Sequence, residues 1–371
     1  MTEVLLKELN NSDIDWMIAT GTREEIAAGE VLLQESQSTS NLYLILEGTL
    51  TIAVPQAESD PLAAAFSALE GRETTEREIA RLSSGELVGE ECFLDSRSPA
   101  TIVRALENSL VLSIPQAQLT QKLQQDVSFA AHFYRAIAIL LSNRLRSVVS
   151  QLGYRKLAQS SQIREVLFVF GELNDSDIDW IIAAGQREKV PSGTILIHKG
   201  RPVDGLYILL NGTMTVSVSD DEANPLAVVF ASLDGSESED ISDSSRDIAR
   251  LLRGDILGEM PFVDDRPPET TVKAAEDSLV LMVPKQQLVV KLNQDVVFAS
   301  HFYRVIAILL LNRLRDITSR LGYGRRTYEE GQALDERIEY TDELDFDILD
   351  HVSLAGARFD WLLKRLNVKG T

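Results

Sequence analysis

The residues of this 371-residue chain best suited to chemistry are arginines placed where an unpaired charge is costly. Arg144 lies four residues from Leu140 and from Val148, and Arg313 lies four from Leu309 and from Ile317, so each sits mid-way along an apolar helical arc. A guanidinium in that position must find a carboxylate or a phosphate, or extend its stem to water. Arg97 and Arg266 form a second recurrent pair. Together the four point to the holding of an anion, with pairing to carboxylates across a helix interface as the competing reading for Arg144 and Arg313. Bond-breaking chemistry has no comparable signal: no Ser-His-Asp or Cys-His grouping, P-loop or metal-ligand spacing occurs, so a non-enzymatic protein is expected. The many isolated carboxylates read as solvated surface.

The elements that must position these arginines are written twice. Leu9-Asn-Asn-Ser-Asp-Ile-Asp-Trp16 recurs as Leu173-Asn-Asp-Ser-Asp-Ile-Asp-Trp180, an offset of 164. After an insertion in the acidic loop before Arg246 the offset is 169, which carries Gly89-Glu90 onto Gly258-Glu259 and His132-Phe-Tyr-Arg135 onto His301-Phe-Tyr-Arg304. Each copy is long enough to fold as a domain. Within a copy, a short capped helix is expected near Asp13 (Asp177), then short strands such as Glu30–Leu33 and Leu42–Leu46 separated by Gly and Asn turns. An apolar loop, Pro61–Leu69 or Pro225–Leu233, reads as a short helix or flap. A long helix closes each copy, Ser128 to about Leu152 and Val297 to about Leu321. In the first of these Phe133, Ile137, Leu140, Leu141, Leu145, Val148 and Leu152 share one arc, with Arg135 and Arg146 opposite.

Composition narrows the class. With 44% hydrophobic and 25% charged residues the chain is an ordinary globular one with room for two or more cores. Its single cysteine, Cys92, excludes an internal disulfide and a four-cysteine zinc site, and its four histidines are scattered, which fits a reducing cytoplasm. The longest unbroken apolar runs, Ala136–Leu141 and Val305–Leu311, fall short of the roughly 20 residues that span a bilayer, so no membrane insertion is expected. A net charge of −21 opposes approach to nucleic acid.

The two copies resemble the cyclic-nucleotide-binding family, in which a phosphate-binding cassette runs Gly-Glu, a short helix, then Pro-Arg-x-Ala-Thr, followed by a long C-helix. Here the cassettes are Gly85-Glu-Leu-Val-Gly-Glu-Glu-Cys-Phe-Leu-Asp-Ser-Arg-Ser-Pro-Ala-Thr-Ile-Val-Arg-Ala105 and Gly254-Asp-Ile-Leu-Gly-Glu-Met-Pro-Phe-Val-Asp-Asp-Arg-Pro-Pro-Glu-Thr-Thr-Val-Lys-Ala274. The resemblance implies a mainly β fold with long C-helices: two tandem jelly-roll-like β-roll domains, at 1–158 and 159–323, then an acidic tail at 324–371. It implies a site at Gly89, Glu90 and Thr101, and at Gly258, Glu259 and Thr271, where amides cradle a phosphate and the glutamate accepts from the ribose 2′-hydroxyl. The sequence departs from the pattern at the arginine. Pro99 and Pro268 stand in its register, and Arg97 and Arg266 sit two residues earlier. Glu91 adds a carboxylate beside the expected anion, and Pro261 removes an amide.

These departures disfavour cyclic AMP in its usual pose. The candidate ligand is therefore a cyclic dinucleotide, cyclic di-GMP, held by Arg97, Arg266, Arg144 and Arg313 between paired domains, its guanines stacked on arginine planes. Relic cassettes that keep only the fold are the alternative. The family implies helix-paired dimers, here within a chain or as a homo-oligomer. Its transcription factors carry a helix-turn-helix after the C-helix. Here Glu329–Asp350 has ten acidic residues against the single base Arg337, so direct DNA binding is not expected and a protein partner, such as a transcription factor of the same superfamily, is. Leu354–Leu366 reads as a short amphipathic helix that docks on its own chain, the favoured reading, or binds a partner protein. The whole pattern also looks like a bacterial family of paired cyclic-nucleotide-binding domains, mainly cyanobacterial and named for association with bacteriocin-type transport.

Overall fold

The computed structural model describes residues 4–34, 39–55, 76–94, 101–151, 170–219, 245–264, 266–321 and 346–368. Arg97, both apolar loops and most of the acidic tail lie outside these residues. Contacts divide the chain into two units. One comprises Met1–Gln151, Leu167–Asn174 and Leu292–Ala357; the other comprises Leu152–Val166, Asp175–Lys291 and Arg358–Thr371.

Each unit holds one β-roll of antiparallel strands. In the first, β1 (Thr22–Ile26), β3 (Asn41–Glu47), β6 (Leu87–Val88) and β8 (Ser109–Pro115) form a sheet in the order β1-β8-β3-β6. The facing sheet runs β2-β7-β4-β5, from β2 (Val31–Leu33), β4 (Thr49–Pro55), β5 (Glu76–Ser83) and β7 (Ile102–Ala105). Successive side chains of a strand point to opposite faces, so each strand commits one apolar set inward. Ile26, Ile45, Leu50, Leu82, Val103 and Val111 meet in this way in a shared core.

The second roll repeats this arrangement. Its strands are β9 (Gln186–Val190), β10 (Ile195–Ile197), β11 (Gly205–Asn211), β12 (Met214–Ser219), β13 (Ser245–Leu251), β14 (Ile256–Leu257), β15 (Thr271–Ala274) and β16 (Ser278–Pro284). The sheet orders are β14-β11-β16-β9 and β10-β15-β12-β13. Even the register breaks recur, at Ile45/Glu47 and at Leu209/Asn211, so the duplication extends to backbone irregularities.

The expected capped helix starts two residues earlier than Asp13. In α2 (Asn11–Thr20) the Asn10 side chain accepts from the Asp13 amide at 2.9 Å, and Asp13 accepts from the Asn10 amide at 3.1 Å, a reciprocal cap in which Asp13 is the third helical residue. Asp13 also meets His132 Nδ1 at 2.9 Å, which ties this helix to the long one. The remaining helices, in chain order, are α1 (Val4–Glu8), α3 (Glu91–Leu94), α4 (Gln116–Gln125), α5 (Val127–Gln151), α6 (Asp175–Ala184), α7 (Lys285–Gln294), α8 (Val296–Leu321) and α9 (Phe346–Arg365).

Within the first unit α5 and α8, the long helices of the two copies, pack together. Arg135 lies 5.7 Å from the Tyr303 ring centre, and the equivalent Arg304 lies 5.8 Å from that of Tyr134. Each arginine is also paired with a glutamate, Arg135 with Glu8 at 3.0 Å and Arg304 with Glu172 at 3.1 Å. Contacts that return reciprocally between equivalent positions define a local two-fold. Further along, Arg144 and Val148 of α5 share a recess with Leu314, Arg315 and Thr318 of α8, so the helices advance together and run parallel. Burial raises the pKa of Tyr134 and Tyr303, and the facing arginines act against it.

One expectation is corrected here. Arg146, placed on the polar arc of its helix, is buried at 7% exposure, because α5 is covered both by its own roll and by α8. Helix α8 is, over Val296–Thr318, long and apolar enough to cross a membrane, although its unbroken apolar run is short; 72% of that window is buried within the fold.

Candidate functional site

In the first cassette β6 ends at Gly89, whose φ of +88° is open to glycine and strained for L residues. A Cβ there would stand 2.8 Å from the Asn41 carbonyl oxygen, so strand β3 passes too close for any side chain. That turn drives Glu90 inward, to 3% exposure, at the entry of α3, where its carbonyl accepts from the Phe93 amide at 3.1 Å.

Arg144 reaches this point from α5. It donates to the Glu90 carboxylate and to the Leu87 carbonyl, and is itself only 7% exposed. Burial pushes the Glu90 pKa up and the neighbouring Glu91 adds to this, while Arg144 pulls it down. The Nε of Arg144 is buried and has no hydrogen-bond partner among the described residues.

Glu91, next along α3, accepts from Arg315 of α8 at 2.8 Å through Nη2 and 3.2 Å through Nε. Both side chains are largely buried, at 16% and 12% exposure. The two arginine–carboxylate pairs flank a recess of about 30 Å³, also lined by Thr101 and Thr318 over Ile52 and Ile79. That is room for about one water. A nucleotide enters only if the pairs open.

The second cassette belongs to the other unit. Gly258 repeats the positive φ, at +75°, and a Cβ there would meet the Gly205 carbonyl oxygen at 2.6 Å. Glu259 is again 3% exposed. Pro261 allows only a 3₁₀ turn, Met260–Phe262, whose Phe262 and the following Val263 are buried in the roll. Pro268, in the register of the family arginine, is buried, and its carbonyl accepts from the Gly200 amide at 2.8 Å. Arg266 pairs with Asp264 at 2.7 Å with 49% of its side chain exposed. Thr271 Oγ1 accepts from the Lys199 amide at 3.3 Å.

The structure thus gathers Gly89, Glu90, Thr101 and Arg144 in one place, with Arg144 meeting a carboxylate of its own roll. It sets Arg266 at the surface of the second roll and leaves Arg313 half-buried on α8. Sequence reasoning misses Arg315. A signal exists, since Arg146 and Arg315 recur at the same offset as Arg144 and Arg313, but they fall on the arc that periodicity assigns to water. Glu91, expected to oppose a bound anion, is the partner of that missed arginine. Among the described residues no group of three or more His, Cys, Asp or Glu is placed to hold a metal ion.

The jelly roll with a glycine–glutamate turn and a following long helix agrees with the sequence comparison, in which two segments of the chain, residues 23–126 and 237–295, match the cyclic nucleotide-binding domain. No curated protein matches it in sequence. Among solved structures it is similar to the regulatory domain of Toxoplasma gondii PKA with cAMP (14% identity, 79% of this chain and 89% of that one, TM-score 0.28). It is also similar to the regulatory subunit of a cAMP-independent protein kinase A from Trypanosoma cruzi bound to guanosine (16%, 79% and 81%, 0.27). A third similarity is to the Thermus thermophilus catabolite activator protein (20%, 49% and 68%, 0.31). At these values the likenesses do not bear on the ligand.

Proposed function

We propose that the chain is a non-enzymatic cytoplasmic receptor for a cyclic nucleotide or dinucleotide, with cyclic di-GMP favoured over cyclic AMP, that signals through a protein partner. The binding site in this reading is the first cassette, with Gly89, Glu90, Thr101, Arg144 and Arg97. The observation that carries it is the unsatisfied, buried Arg144 Nε beside a recess whose walls come from the cassette and from both long helices. An unpaired buried donor costs free energy and is retained most simply where an acceptor visits. An anion that drew Arg144 from Glu90 and Arg315 from Glu91 would bind the two helix arrangements unequally, which is what coupling requires.

A second reading, a ligand-free dimerisation scaffold, draws on the saturation of Glu90 and Glu91 by the chain's own arginines. Calorimetric titration of the full chain with cyclic AMP, cyclic GMP and cyclic di-GMP separates the two. The receptor reading expects micromolar or tighter binding of cyclic di-GMP, weakened by roughly 1.5–3 kcal/mol in Arg97→Ala. Absence of binding by all three leaves the scaffold.

A further inference from the structure

The C-terminal segment supplies a docking precedent inside the molecule. In the second unit Phe359, Leu362, Leu363 and Leu366 of this segment are buried, a ridge at i, i+3, i+4 and i+7. Two arginines frame it against helix α6: Arg358 meets Asp175 at 3.3 Å and Arg365 meets Asp179 at 3.0 Å. Arg187, on edge strand β9, donates to the Leu366 carbonyl, and the Arg253 guanidinium lies 5.8 Å from the Phe359 ring centre.

The first roll carries the same face uncovered. Its α2 presents Asn11, Asp15 and Ile18 at i, i+4 and i+7, the counterparts of Asp175, Asp179 and Ile182. Edge strand β1 carries Arg23 where β9 carries Arg187. Asn11, Asp15 and Arg23 are exposed, and Ile18 is 55% exposed whereas Ile182 is half-buried. An exposed isoleucine between a carboxylate and an edge-strand arginine is the imprint of the covered site without its cover.

We propose that this face of the first roll, Asn11, Asp15, Ile18 and Arg23, docks an amphipathic helix of a partner protein. That helix would have the chemistry of residues 358–366: an apolar ridge framed by arginines two turns apart. Charge complementarity selects it, since Asp15 is kept to meet one arginine and Arg23 to cap the helix's terminal carbonyls. The chain's own helix is engaged at the second roll, so the occupant is a separate polypeptide.

The test uses a fluorescent peptide of residues 346–368 as the probe and the full chain as the receptor, read by anisotropy. Saturable binding is expected, weakened about tenfold or more by Asp15→Lys and by Ile18→Asp, and unchanged by Asp179→Lys. Both first-roll positions are exposed, so the variants keep the fold. Pairing Asp15→Arg in the chain with Arg365→Asp in the peptide should restore binding. No binding, or binding lost only with Asp179→Lys because the peptide exchanges with the chain's own helix, overturns the proposal. So does a self-associated chain that Asp15→Lys makes monomeric in sedimentation, since a second copy would then fill the face.

Discussion

The two cassettes descend from one sequence and have been filled in different ways. In the first, a short α-helix leaves space that arginines from two long helices enter, each meeting a carboxylate. In the second, Pro261 tightens the helix to a 3₁₀ turn in which Phe262 and the following Val263 are buried, as is Pro268, while the half-exposed Arg266 pairs with a largely buried Asp264. Charged filling is reversible in a way apolar filling is not. An ion pair can exchange one partner for another anion provided that the carboxylate left behind takes up a proton or meets water, whereas ejecting a buried phenyl ring exposes apolar area and leaves a cavity. The proposed site in the first cassette calls for such an exchange at these two pairs.

The largest effect expected from breaking this contrast is at Arg144. Arg144→Ala leaves the Glu90 carboxylate buried without its cation and should cost about 3–5 kcal/mol in denaturant unfolding. The loss should depend on pH with a definite sign. The Glu90 pKa is already raised by burial, and removing Arg144 raises it further. The folded state then binds more protons than the unfolded state, so stability falls as pH rises through the folded pKa. The deficit should be small in the acid range where carboxylates are protonated in both states, and full once the pH is above the folded-state pKa of Glu90. A pH-independent deficit would contradict the burial of that charge.

The glycine turns test what the cassettes share. Gly89→Ala and Gly258→Ala each put a Cβ against a backbone carbonyl at positive φ and should each cost about 1–3 kcal/mol, with Gly258 the worse because its contact is closer. Equal tolerance of both would mean that the backbone approach is not binding on the fold. The smallest effects separate the arginines again. Arg315→Ala should cost about 1–2 kcal/mol, both members of its pair being largely buried, and Arg266→Ala less, about 0.5–1 kcal/mol, its guanidinium being half in water. The reverse order would place the structural arginine in the wrong copy.

Much of the fold is legible in the sequence because duplication prints it twice. The two offsets locate both glycine turns and both long helices, the helices within a residue or two of their bounds. Helix α9 is expected from Leu354 onward, yet it starts at Phe346. The site is half legible. Gly89 and Glu90 are adjacent in sequence and announce a turn, and Arg144 announces a buried charge without naming its partner. The Arg315–Glu91 pair joins residues 224 apart, and nothing local to either residue encodes it. Arg146 escapes for the same reason: a helix covered on two sides has no arc that faces water, and periodicity assumes one.

The most direct test is the number of ligand sites. Calorimetry with cyclic di-GMP on the full chain, on Arg97→Ala and on Arg266→Ala should give one site per chain, weakened by the first substitution and indifferent to the second. Two equal sites, or binding abolished by Arg266→Ala alone, would contradict the assignment of the responsive cassette to the first roll.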